Sequence, residues 1–428
     1  MNFIDIYNDL ANLEDPLTVQ PKKKVKFLFI SSDKFPPFRV DVAILFGKKM
    51  VERGHIIDWL LQSDENLQRS YQTEWSGSKI WVGPTDNGTS RVNRLRKHFY
   101  SIFHDFKLFG MSKMSKYSFI LIKDKFISAI MAIVASKIYK TKFIFWLSYP
   151  FPEHYVYEFQ EGTARYPLIY WLRGHFLKII LYRIILPFSD HIFTQSEQMK
   201  RDIAAKGISK EKMTPVPMGV SIQEIPYFEY NTQQNKPDRE KKVLYLGTLV
   251  KVRKIDFLIR IFGKLLRKMN NVKLFLVGSG EDPSDEKIIK EEAQRLGIEH
   301  SVFITGFLPQ QEAWQYAKTA DVCVSPFYPT PILNSTSPTK LIEYMAMGKA
   351  VVANDHPEQS TVISESKGGI CVPYEENAFA EAIHYLLIHP DDTKKMGTMG
   401  RKYVEEYRSY ERIADLVEKT LLQVCDII

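Results

Sequence analysis

Short apolar runs alternate with amphipathic stretches along most of the chain. In the first half, runs rich in β-branched and aromatic residues predict strands at 24–31, 55–61, 79–83, 119–122, 142–147 and 191–195. In the second half, similar runs predict strands at 243–247, 272–277, 302–305, 322–325 and 350–353. Helical periodicity fills many of the intervals, for example at 126–139, 197–205 and 256–269. Strands that alternate with helices predict parallel sheets with helices on both faces, so we expect an α/β fold.

The pattern is interrupted once, by a polar stretch of low apolar content at 227–242. A chain of 428 residues is long for one core, so we interpret this stretch as a linker between two doubly wound domains. The predicted organisation is a leader at 1–23, a first domain at 24–226, the linker, a second domain at 243–400 and a C-terminal helix at 401–428. A continuous amphipathic helix is predicted over 396–424.

The stretch from 334 to 353, NSTSPTKLIEYMAMGKAVVA, predicts a polar loop, a helix and a buried strand in succession. Pro338 suits the first turn of a helix, and we expect the hydroxyls of Ser335, Thr336 and Ser337 to cap it. Free amides at the start of a helix attract anions. The stretch therefore predicts a phosphate site, with an ordinary capped helix that binds no ligand as the alternative.

Four side chains on this helix and the loop before it are candidates for binding a nucleotide. Ser337 and Thr339 lie where a phosphate would meet the helix, and Lys340 adds a positive charge to the first turn. Glu343 lies one turn further on, where a carboxylate can accept hydrogen bonds from both hydroxyls of a ribose.

SPTKLIEYMAMGKAVVA resembles the donor-binding signature of retaining GT-B glycosyltransferases of the family 4 type, in the subgroup with SPxKLxEYMA. Two Glu residues frame this segment in the family, and Glu343 matches the second, which binds the donor ribose. Ser335 stands at the position of the first, so this chain departs from the family at a contact with the donor sugar. The resemblance implies two Rossmann-like domains facing across a cleft, with the C-terminal helix crossing back to the first domain.

Two cations precede a predicted helix in LGTLVKVRKIDFLI, residues 246–259. Positive side chains are unfavourable there unless an anion is bound, so Arg253 and Lys254 predict a pyrophosphate. The resemblance matches Lys254 to the family's pyrophosphate-binding Lys, whereas Thr248 replaces its Arg and Arg253 is the substitute. Both cations are the catalytic candidates, because they can stabilise the departing nucleoside diphosphate. A solvated basic turn is the alternative.

Further candidates lie at the ends of predicted strands, and for each an ordinary turn is the alternative. By resemblance, Gly306 and Phe307 receive the nucleobase, and His356 and Glu358 lie near the donor sugar. Candidates for the donor sugar or the acceptor are Ser335, Arg39, Asp41, Glu153 and His154.

Composition narrows the functional classes. The formal net charge is +8, which favours anionic partners. Three separated cysteines suggest neither disulfides nor a zinc site, and the residues suggest no metal site. The first residues are acidic and lack a signal peptide pattern, and no apolar run is long enough to span a membrane, so we expect a cytoplasmic protein. Two basic aromatic segments, 91–117 and 166–188, could instead lie on the inner face of the plasma membrane, or pack as ordinary helices.

The predicted activity is transfer of a sugar from a nucleotide diphosphate sugar to a hydroxyl with retention, in the synthesis of a cell-surface polysaccharide or glycoconjugate. A UDP-sugar is the expected donor and a GDP-sugar the alternative; the acceptor would be a carbohydrate or lipid-linked, and neither a cofactor nor a nucleic acid is expected. Replacement of two family residues, by Ser335 and Thr248, leaves open an inactive partner subunit. A nucleotide-sugar epimerase and a nucleic-acid binder remain further alternatives.

Overall fold

The computed structural model describes residues 23–88, 90–229 and 239–426. All but the last residue of the predicted leader, and residues 230–238 of the predicted linker, lie outside this part of the chain. The described residues form two compact units. The first unit runs to Pro217 and resumes at Tyr410, and the second unit extends from Met218 to Ser409.

The first unit is built on a sheet that has eight strands among the described residues, in the order β3-β4-β2-β1-β5-β6-β7-β8. The strands are β1 (Lys26–Phe35), β2 (Ile56–Ser63), β3 (Tyr71–Trp75), β4 (Ser78–Gly83), β5 (Phe119–Lys123), β6 (Lys142–Leu147), β7 (His191–Thr194) and β8 (Met213–Pro215). All neighbouring strands pair in parallel except β3, which pairs antiparallel with β4. This edge strand was not predicted, because it is largely polar and exposed.

Helices cover the sheet of the first unit. They are α1 (Asp41–Met50), α2 (Arg91–Asp105), α3 (Lys107–Met114), α4 (Phe126–Tyr139), α5 (Phe151–Gln160), α6 (Pro167–Ile179), α7 (Ile180–Ile185), α8 (Leu186–Phe188) and α9 (Glu197–Ala204), of which α1 and α7 are π-helical. Aromatic residues fill much of the core: Phe27 stacks on Phe119 and Phe29 on Trp59, with ring centroids 4.4 and 4.6 Å apart. The apolar runs that predicted the strands thus form the core.

The second unit contains a six-stranded, fully parallel sheet in the order β11-β10-β9-β12-β13-β14 within the described residues. The strands are β9 (Lys241–Leu246), β10 (Val272–Val277), β11 (Val302–Ile304), β12 (Val322–Ser325), β13 (Val351–Asn354) and β14 (Gly369–Val372). The helices are α10 (Asp256–Leu266), α11 (Pro283–Arg295), α12 (Gln310–Thr319), α13 (Pro331–Asn334), α14 (Thr339–Ala346), α15 (Pro357–Ser366), α16 (Glu376–Ile388), α17 (Pro390–Tyr403) and the π-helical α18 (Val404–Arg408). Two parallel α/β units confirm the predicted fold class.

The order of the strands locates where each sheet can bind a ligand. In the second sheet the chain moves outward from β9 in one direction and from β12 in the other, so the strand order reverses between these neighbours. In the first sheet the corresponding reversal lies between β1 and β5. Ligands of doubly wound sheets bind at the carboxyl ends of the strands at such points.

The continuous helix predicted over 396–424 is wrong. The structure has α17, the π-helical turn α18, a break at Ser409 with φ −73° and ψ 146°, and then α19 (Tyr410–Val424). The break allows Arg408 to point into the core of the second unit, where it is 2% exposed. Amphipathic periodicity continues through the break, which is why the pattern did not reveal it.

The helix α19 crosses back and packs on the first unit, as predicted. Arg53 donates hydrogen bonds to Glu418 at 2.5 Å and to Asp415 at 2.6 Å, and His55 Nε2 lies 2.9 Å from Glu418. The division between the units falls after Pro217, whereas the sequence suggested 226. No helix among the described residues combines the length and the apolar character needed to cross a membrane.

Candidate functional site

The signature helix α14 begins at Thr339, and Pro338 is its N-cap. The hydroxyls expected to cap it do not do so, because no side chain accepts a hydrogen bond from its first amides. The Ser337 hydroxyl instead accepts a hydrogen bond from the Met218 amide at 2.9 Å and donates one to Glu358 Oε1 at 2.6 Å. The predicted cap is therefore wrong. The first turn of α14 keeps free amides that could bind an anion.

A buried ion pair lies beneath this loop. Arg408 Nη1 donates a hydrogen bond to Glu358 Oε1 at 2.9 Å, and both side chains are less than a tenth exposed. Burial raises the pKa of the Glu358 carboxyl, and the charge of Arg408 opposes that shift. Glu358 thus holds Ser337 and the loop, and its place near the donor sugar stays a prediction.

The loop after β13 forms the start of α15 rather than a surface turn. His356 is the N-cap of α15: its Nδ1 accepts a hydrogen bond from the Glu358 amide at 3.3 Å, and its Nε2 lies 2.9 Å from the Leu333 carbonyl oxygen. Burial lowers the pKa of His356 to about 4, so the ring is neutral at physiological pH. Ser335 is buried as well, with its hydroxyl 3.5 Å from the Pro331 carbonyl oxygen.

Three glycines line the carboxyl ends of β9, β10 and β11. Gly247 and Gly278 both have φ of +145°, and a Cβ on Gly278 would lie 2.1 Å from the Gly247 carbonyl oxygen. Gly278 also forms an isolated bridge with Gly306. Such close approach of backbones is possible only for glycine. The neighbouring Phe307 ring is 80% exposed, so its face is open to a planar ligand.

The three glycines are called the glycine floor below. Positively charged side chains from the turn after β9 and from the helix α14 lie beside it. The Lys340 side chain crosses Gly247, where a Cβ would lie 1.9 Å from its Cε. Arg253 lies within electrostatic reach of Lys340, and its guanidinium packs over the Phe327 ring at 5.1 Å from the centroid. Lys254 is exposed, has φ of +54°, and its Nζ lies 5.8 Å from the centroid of the Tyr328 ring.

Among the described residues, no carboxylate lies within ion-pair distance of Arg253, Lys254 or Lys340. Clustered cations without a counterion repel one another, and an anion bound among them would remove that repulsion. Phe327 and Tyr328 follow β12, so the cations lie at the strand reversal of the second sheet. The geometry thus fits a bound phosphate or pyrophosphate.

The electrostatics of α14 agree with this arrangement. Burial, followed by the charge of Arg253, lowers the pKa of Lys340 to about 8, although Glu343 acts in the opposite direction. Burial raises the pKa of Glu343 to about 6, and Lys340 opposes that shift. Glu343 is only partly exposed and is not sealed in the core, so a ligand could reach it. Perturbed groups of this kind cluster at functional sites.

The first unit contains a separate charged cluster at its own strand reversal. Arg39 donates hydrogen bonds to Asp41 at 3.3 and 3.2 Å, and Lys123 donates one to Asp41 at 2.9 Å. Lys123 also lies 3.5 Å from Asp33 and 4.7 Å from the centroid of the Trp146 ring. Burial acts to raise the pKa of Asp41, but Lys123 and Arg39 hold it below its usual range. Arg39 and Asp41 thus bind each other, and Arg39 remains partly exposed.

The other two candidates of the first unit lie on α5. Glu153 accepts a hydrogen bond from the Tyr182 hydroxyl at 3.0 Å and pairs with Lys206 at 3.3 Å. His154 Nδ1 lies 3.1 Å from the Tyr149 hydroxyl, and its Nε2 lies 3.4 Å from Glu158. The structure therefore does not bring Glu153 and His154 together with Arg39 and Asp41 in one hydrogen-bonded group.

The sequence analysis missed three residues of these arrangements. Lys123 had a local signal, since a charged residue that ends an otherwise apolar strand needs a partner. Gly278 lies in the turn GSGED, which pointed to a tight turn but not to its contact with Gly247. Arg408 had no local signal, because its partner Glu358 is 50 residues away.

Comparisons with known proteins agree with this geometry. Residues 227–403 match the family described as glycosyl transferases group 1. The chain is 27% identical over 224 residues to the alpha-monoglucosyldiacylglycerol synthase of Streptococcus pneumoniae, a match that covers 50% of this chain and 48% of that protein. The chain thus spans about half the length of this curated relative.

Solved structures resemble a much larger share of the chain. The sucrose-phosphate synthase of Thermosynechococcus elongatus superposes with a TM-score of 0.70 at 18% identity, over 94% of this chain and 100% of the other. Anabaena HepE in complex with UDP-glucose superposes with a TM-score of 0.62 at 14% identity, over 93% and 100%. The chain therefore has the fold of the GT-B superfamily of glycosyltransferases, and its residues 227–403 match the group 1 glycosyl transferase family.

Proposed function

We propose that the protein transfers a sugar from a nucleotide diphosphate sugar to an acceptor hydroxyl, with retention of the anomeric configuration, as an enzyme of the family 4 type. The observation that carries this proposal is the meeting of Lys340, Arg253 and the free first turn of α14 at the strand reversal of the second sheet. These groups are all positive or partly positive, so a pyrophosphate has the charge to bind among them.

Each residue of the site then has a defined role. Arg253 and Lys254 hold the pyrophosphate and stabilise the charge that develops on the leaving group. Ser337, Thr339 and Lys340 lie where α14 would meet the phosphates, although the Ser337 hydroxyl acts mainly through the loop that it holds. Transfer in this form needs no metal ion or cofactor, because the cations supply the electrostatic stabilisation.

The nucleoside would lie between the glycine floor and α14. Glu343 accepts hydrogen bonds from the ribose hydroxyls, and Gly306 and Phe307 receive the base. We expect a UDP-sugar, with a GDP-sugar as the alternative. The UDP-glucose complex of HepE supports this choice through the shared fold.

The acceptor is proposed to be a carbohydrate or a lipid-linked molecule in the synthesis of a cell-surface polysaccharide or glycoconjugate. The pneumococcal relative is an alpha-monoglucosyldiacylglycerol synthase, and this supports a glycolipid product. Arg39, Asp41, Glu153 and His154 remain the acceptor candidates of the first unit. We place the protein at the inner face of the plasma membrane, as a peripheral protein.

An inactive partner subunit is the second candidate. It is favoured by Ser335 and Thr248 at positions where relatives have functional residues, and by the buried, internally bonded state of Ser335. Such a subunit would bind nucleotides without breaking the bond to the sugar.

A thermal-shift panel of nucleotides and nucleotide sugars tests the binding site. A ligand present at a hundred times its Kd should stabilise the protein by about 2.7 kcal/mol. UDP and one UDP-sugar should raise the Tm, and adenosine should not. If no nucleotide raises the Tm, the proposed donor site is wrong.

Hydrolysis of the stabilising nucleotide sugar separates an enzyme from an inactive subunit. Slow hydrolysis in the wild-type protein should fall by roughly two orders of magnitude in Lys254→Ala, the expected loss of one strong electrostatic contact of about 3 kcal/mol. Lys251→Ala is the matched control, since Lys251 is an exposed lysine in the same turn. Binding without any hydrolysis, with or without acceptor sugars, would favour the inactive subunit.

A further inference from the structure

The helix α6 exposes an apolar stripe. Leu168, Leu172, Phe176 and Ile179 recur at helical spacing and are all more than half exposed, with Phe176 at 62%. The opposite side of α6 packs on α5 through Gly174, where a Cβ would lie 2.6 Å from Val156 Cγ2. The helix therefore turns its most apolar face outward, which is the reverse of what a helix in a soluble core does.

The helix α2 presents a second stripe of the same kind. Val92, Leu95, Phe99, Phe103 and Phe106 follow one another at spacings of three and four residues, and all are at least half exposed. Neighbouring rings along the stripe lie 6.4 to 6.5 Å apart. A row of exposed Phe side chains is unfavourable in water and indicates a partner.

The α2 and α6 helices come close to each other at one point. His98 of α2 lies within electrostatic reach of Arg173 of α6: burial lowers the pKa of His98, and the charges of Arg173 and Lys97 lower it further. At the other end, Lys137 of α4 packs over the ring of Phe188, at 4.7 Å from its centroid. The exposed surfaces of α2, α6, α7 and α8 are together called the basic apolar face below.

Most of α2 and all of α6, α7 and α8 carry charged residues of one sign only. The sequence contains no Asp or Glu from 91 to 104 or from 162 to 188, whereas both stretches carry several Arg and Lys. Arg165, Arg173 and Arg183 are exposed beside the α6 stripe. An acidic protein surface could pair with the cations. It would leave the exposed Phe and Leu side chains of the two stripes unburied. A layer with an anionic surface and an apolar interior would pair with the cations and also bury the apolar side chains.

A basic depression lies at the end of the face. It has a volume of about 740 Å³ and is lined by Tyr182, Arg183, Lys206 and Lys212, with others. Lys206 is paired with Glu153 at 3.3 Å, and Lys212 donates to the carbonyl oxygens of Pro187 and Ser189 at 3.2 Å. Arg183 and Lys212 add positive charge that no ion pair with a carboxylate offsets among the described residues, so the depression can attract a phosphate group.

We propose that the basic apolar face lies in the interface of a bilayer containing anionic phospholipids, with the α2 and α6 stripes among the acyl chains and a lipid phosphate in the depression around Arg183. This inference deepens the proposed peripheral location and rests on that part of the proposed function. It does not depend on the donor chemistry of the second unit.

Co-sedimentation with vesicles tests the proposal. The full chain should sediment with an equal mixture of phosphatidylcholine and phosphatidylglycerol, much less with phosphatidylcholine alone, and less in high salt. Phe103→Ser, Phe176→Ser and Ile179→Ser should each lower the partition coefficient roughly tenfold, because one large apolar side chain leaves the apolar phase. Arg183→Gln should lower it about fivefold.

Matched variants of the second unit serve as controls. Ile388→Ser replaces an isoleucine that is 52% exposed, against 59% for Ile179→Ser, and Arg267→Gln replaces an exposed arginine as Arg183→Gln does. Only the variants of the basic apolar face should weaken sedimentation. Equal sedimentation with both vesicle types, or equal effects in the two units, would overturn the proposal.

Two further measurements keep the outcomes distinct. All variants should retain the wild-type Tm and the Tm shift with UDP, so a failure of vesicle binding leaves the proposed donor site standing. Light scattering should show no concentration-dependent dimer that the face variants abolish. A dimer lost in Phe103→Ser and Phe176→Ser would assign the face to a second copy of the chain, and the bilayer proposal would be wrong.

Discussion

Single residues of the proposed donor site could be selected as candidates from the sequence, but their chemical state could not be predicted. Lys340 and Glu343 were predicted on the correct helix, three residues apart. Only the fold brings the Lys340 side chain across Gly247 and within electrostatic reach of Arg253. Burial and the charge of Arg253 lower the pKa of Lys340, and burial raises the pKa of Glu343. Proton affinity depends on neighbours from distant parts of the chain, which local sequence does not report.

These shifts predict the pH dependence of nucleotide binding. Affinity for UDP should fall above pH 8, where Lys340 with its pKa of about 8 loses its proton, and below pH 6, where Glu343 with its pKa of about 6 gains one. Calorimetric titration between pH 5 and pH 9.5 would measure the Kd across roughly this window. An alkaline loss that begins only near the ordinary lysine value of 10.5 would contradict the buried position of Lys340.

Two variants separate the contributions of Lys340 and Glu343 to this pH dependence. Lys340→Gln should bind more weakly throughout and lose the alkaline dependence. Glu343→Gln should lose the acidic dependence, except for the part that comes from a phosphate of the ligand, whose second pKa is about 6.

At the scale of elements, periodicity predicted single helices and strands well but did not separate helices that follow one another directly. Periodicity located α4, β6, β10 and β12 with the bounds that the structure has. It joined α17 to α19, because an apolar stripe continues across the break at Ser409. At this break Arg408 pairs with Glu358, which is a contact between distant elements.

The close packing of α5 on α6 depends on Gly174, and this dependence can be tested. A Cβ at Gly174 would lie 2.6 Å from Val156 Cγ2 and 3.1 Å from the Pro152 carbonyl oxygen. Gly174→Ala should therefore destabilise the protein by about 1 to 3 kcal/mol, through overpacking. Thermal or urea unfolding would measure the change.

Gly110→Ala is the control for helix propensity. Gly110 lies inside α3, and no heavy atom lies within 4 Å of a Cβ built there. This variant should be unchanged or more stable by about 0.5 to 1 kcal/mol. Similar effects of the two substitutions would show that α5 and α6 are not in close contact at Gly174.

At the scale of the molecule, the end of the chain completes the first unit. The helix α19 contributes Tyr410, Ile413 and Val417 to the same apolar cluster as Phe27 and Trp59. Its polar face is held by Arg53, which pairs with Asp415 and Glu418. The first unit is therefore formed from two stretches of chain that are nearly 200 residues apart in sequence.

The ion pairs of α19 predict how stability depends on pH. Burial acts to raise the pKa of Glu418, but hydrogen bonds from His55 and Arg53 lower it to about 2. Since the folded value lies below the ordinary value of 4.5, the stabilisation is complete above 4.5 and is lost as the pH falls towards 2. Glu418→Gln should thus cost about 1 to 2 kcal/mol at neutral pH, with solvent screening considered.

Thermal unfolding of the two proteins from neutral to acidic pH would test this. The difference in Tm should be largest at neutral pH and should shrink below pH 4.5. Asp415→Asn is the control, because Asp415 is more exposed and its pair with Arg53 is worth less. A difference in Tm that does not change with pH would mean that Glu418 acts by packing and not by charge.

The sequence by itself determined the α/β class, the two sheets and the positions of Lys340, Glu343, Arg253 and Lys254 relative to their own elements. These follow from periodicity and from residue chemistry at the ends of strands, which are local properties of the chain. Only the tertiary structure decided that the Ser337 hydroxyl binds Glu358 and does not cap α14, that Arg408 is buried against Glu358, and that His98 of α2 lies within electrostatic reach of Arg173 of α6. Those outcomes depend on which distant residues become neighbours in the packed structure. A buried charge needs a partner, and the fold decides which residue lies close enough to be that partner.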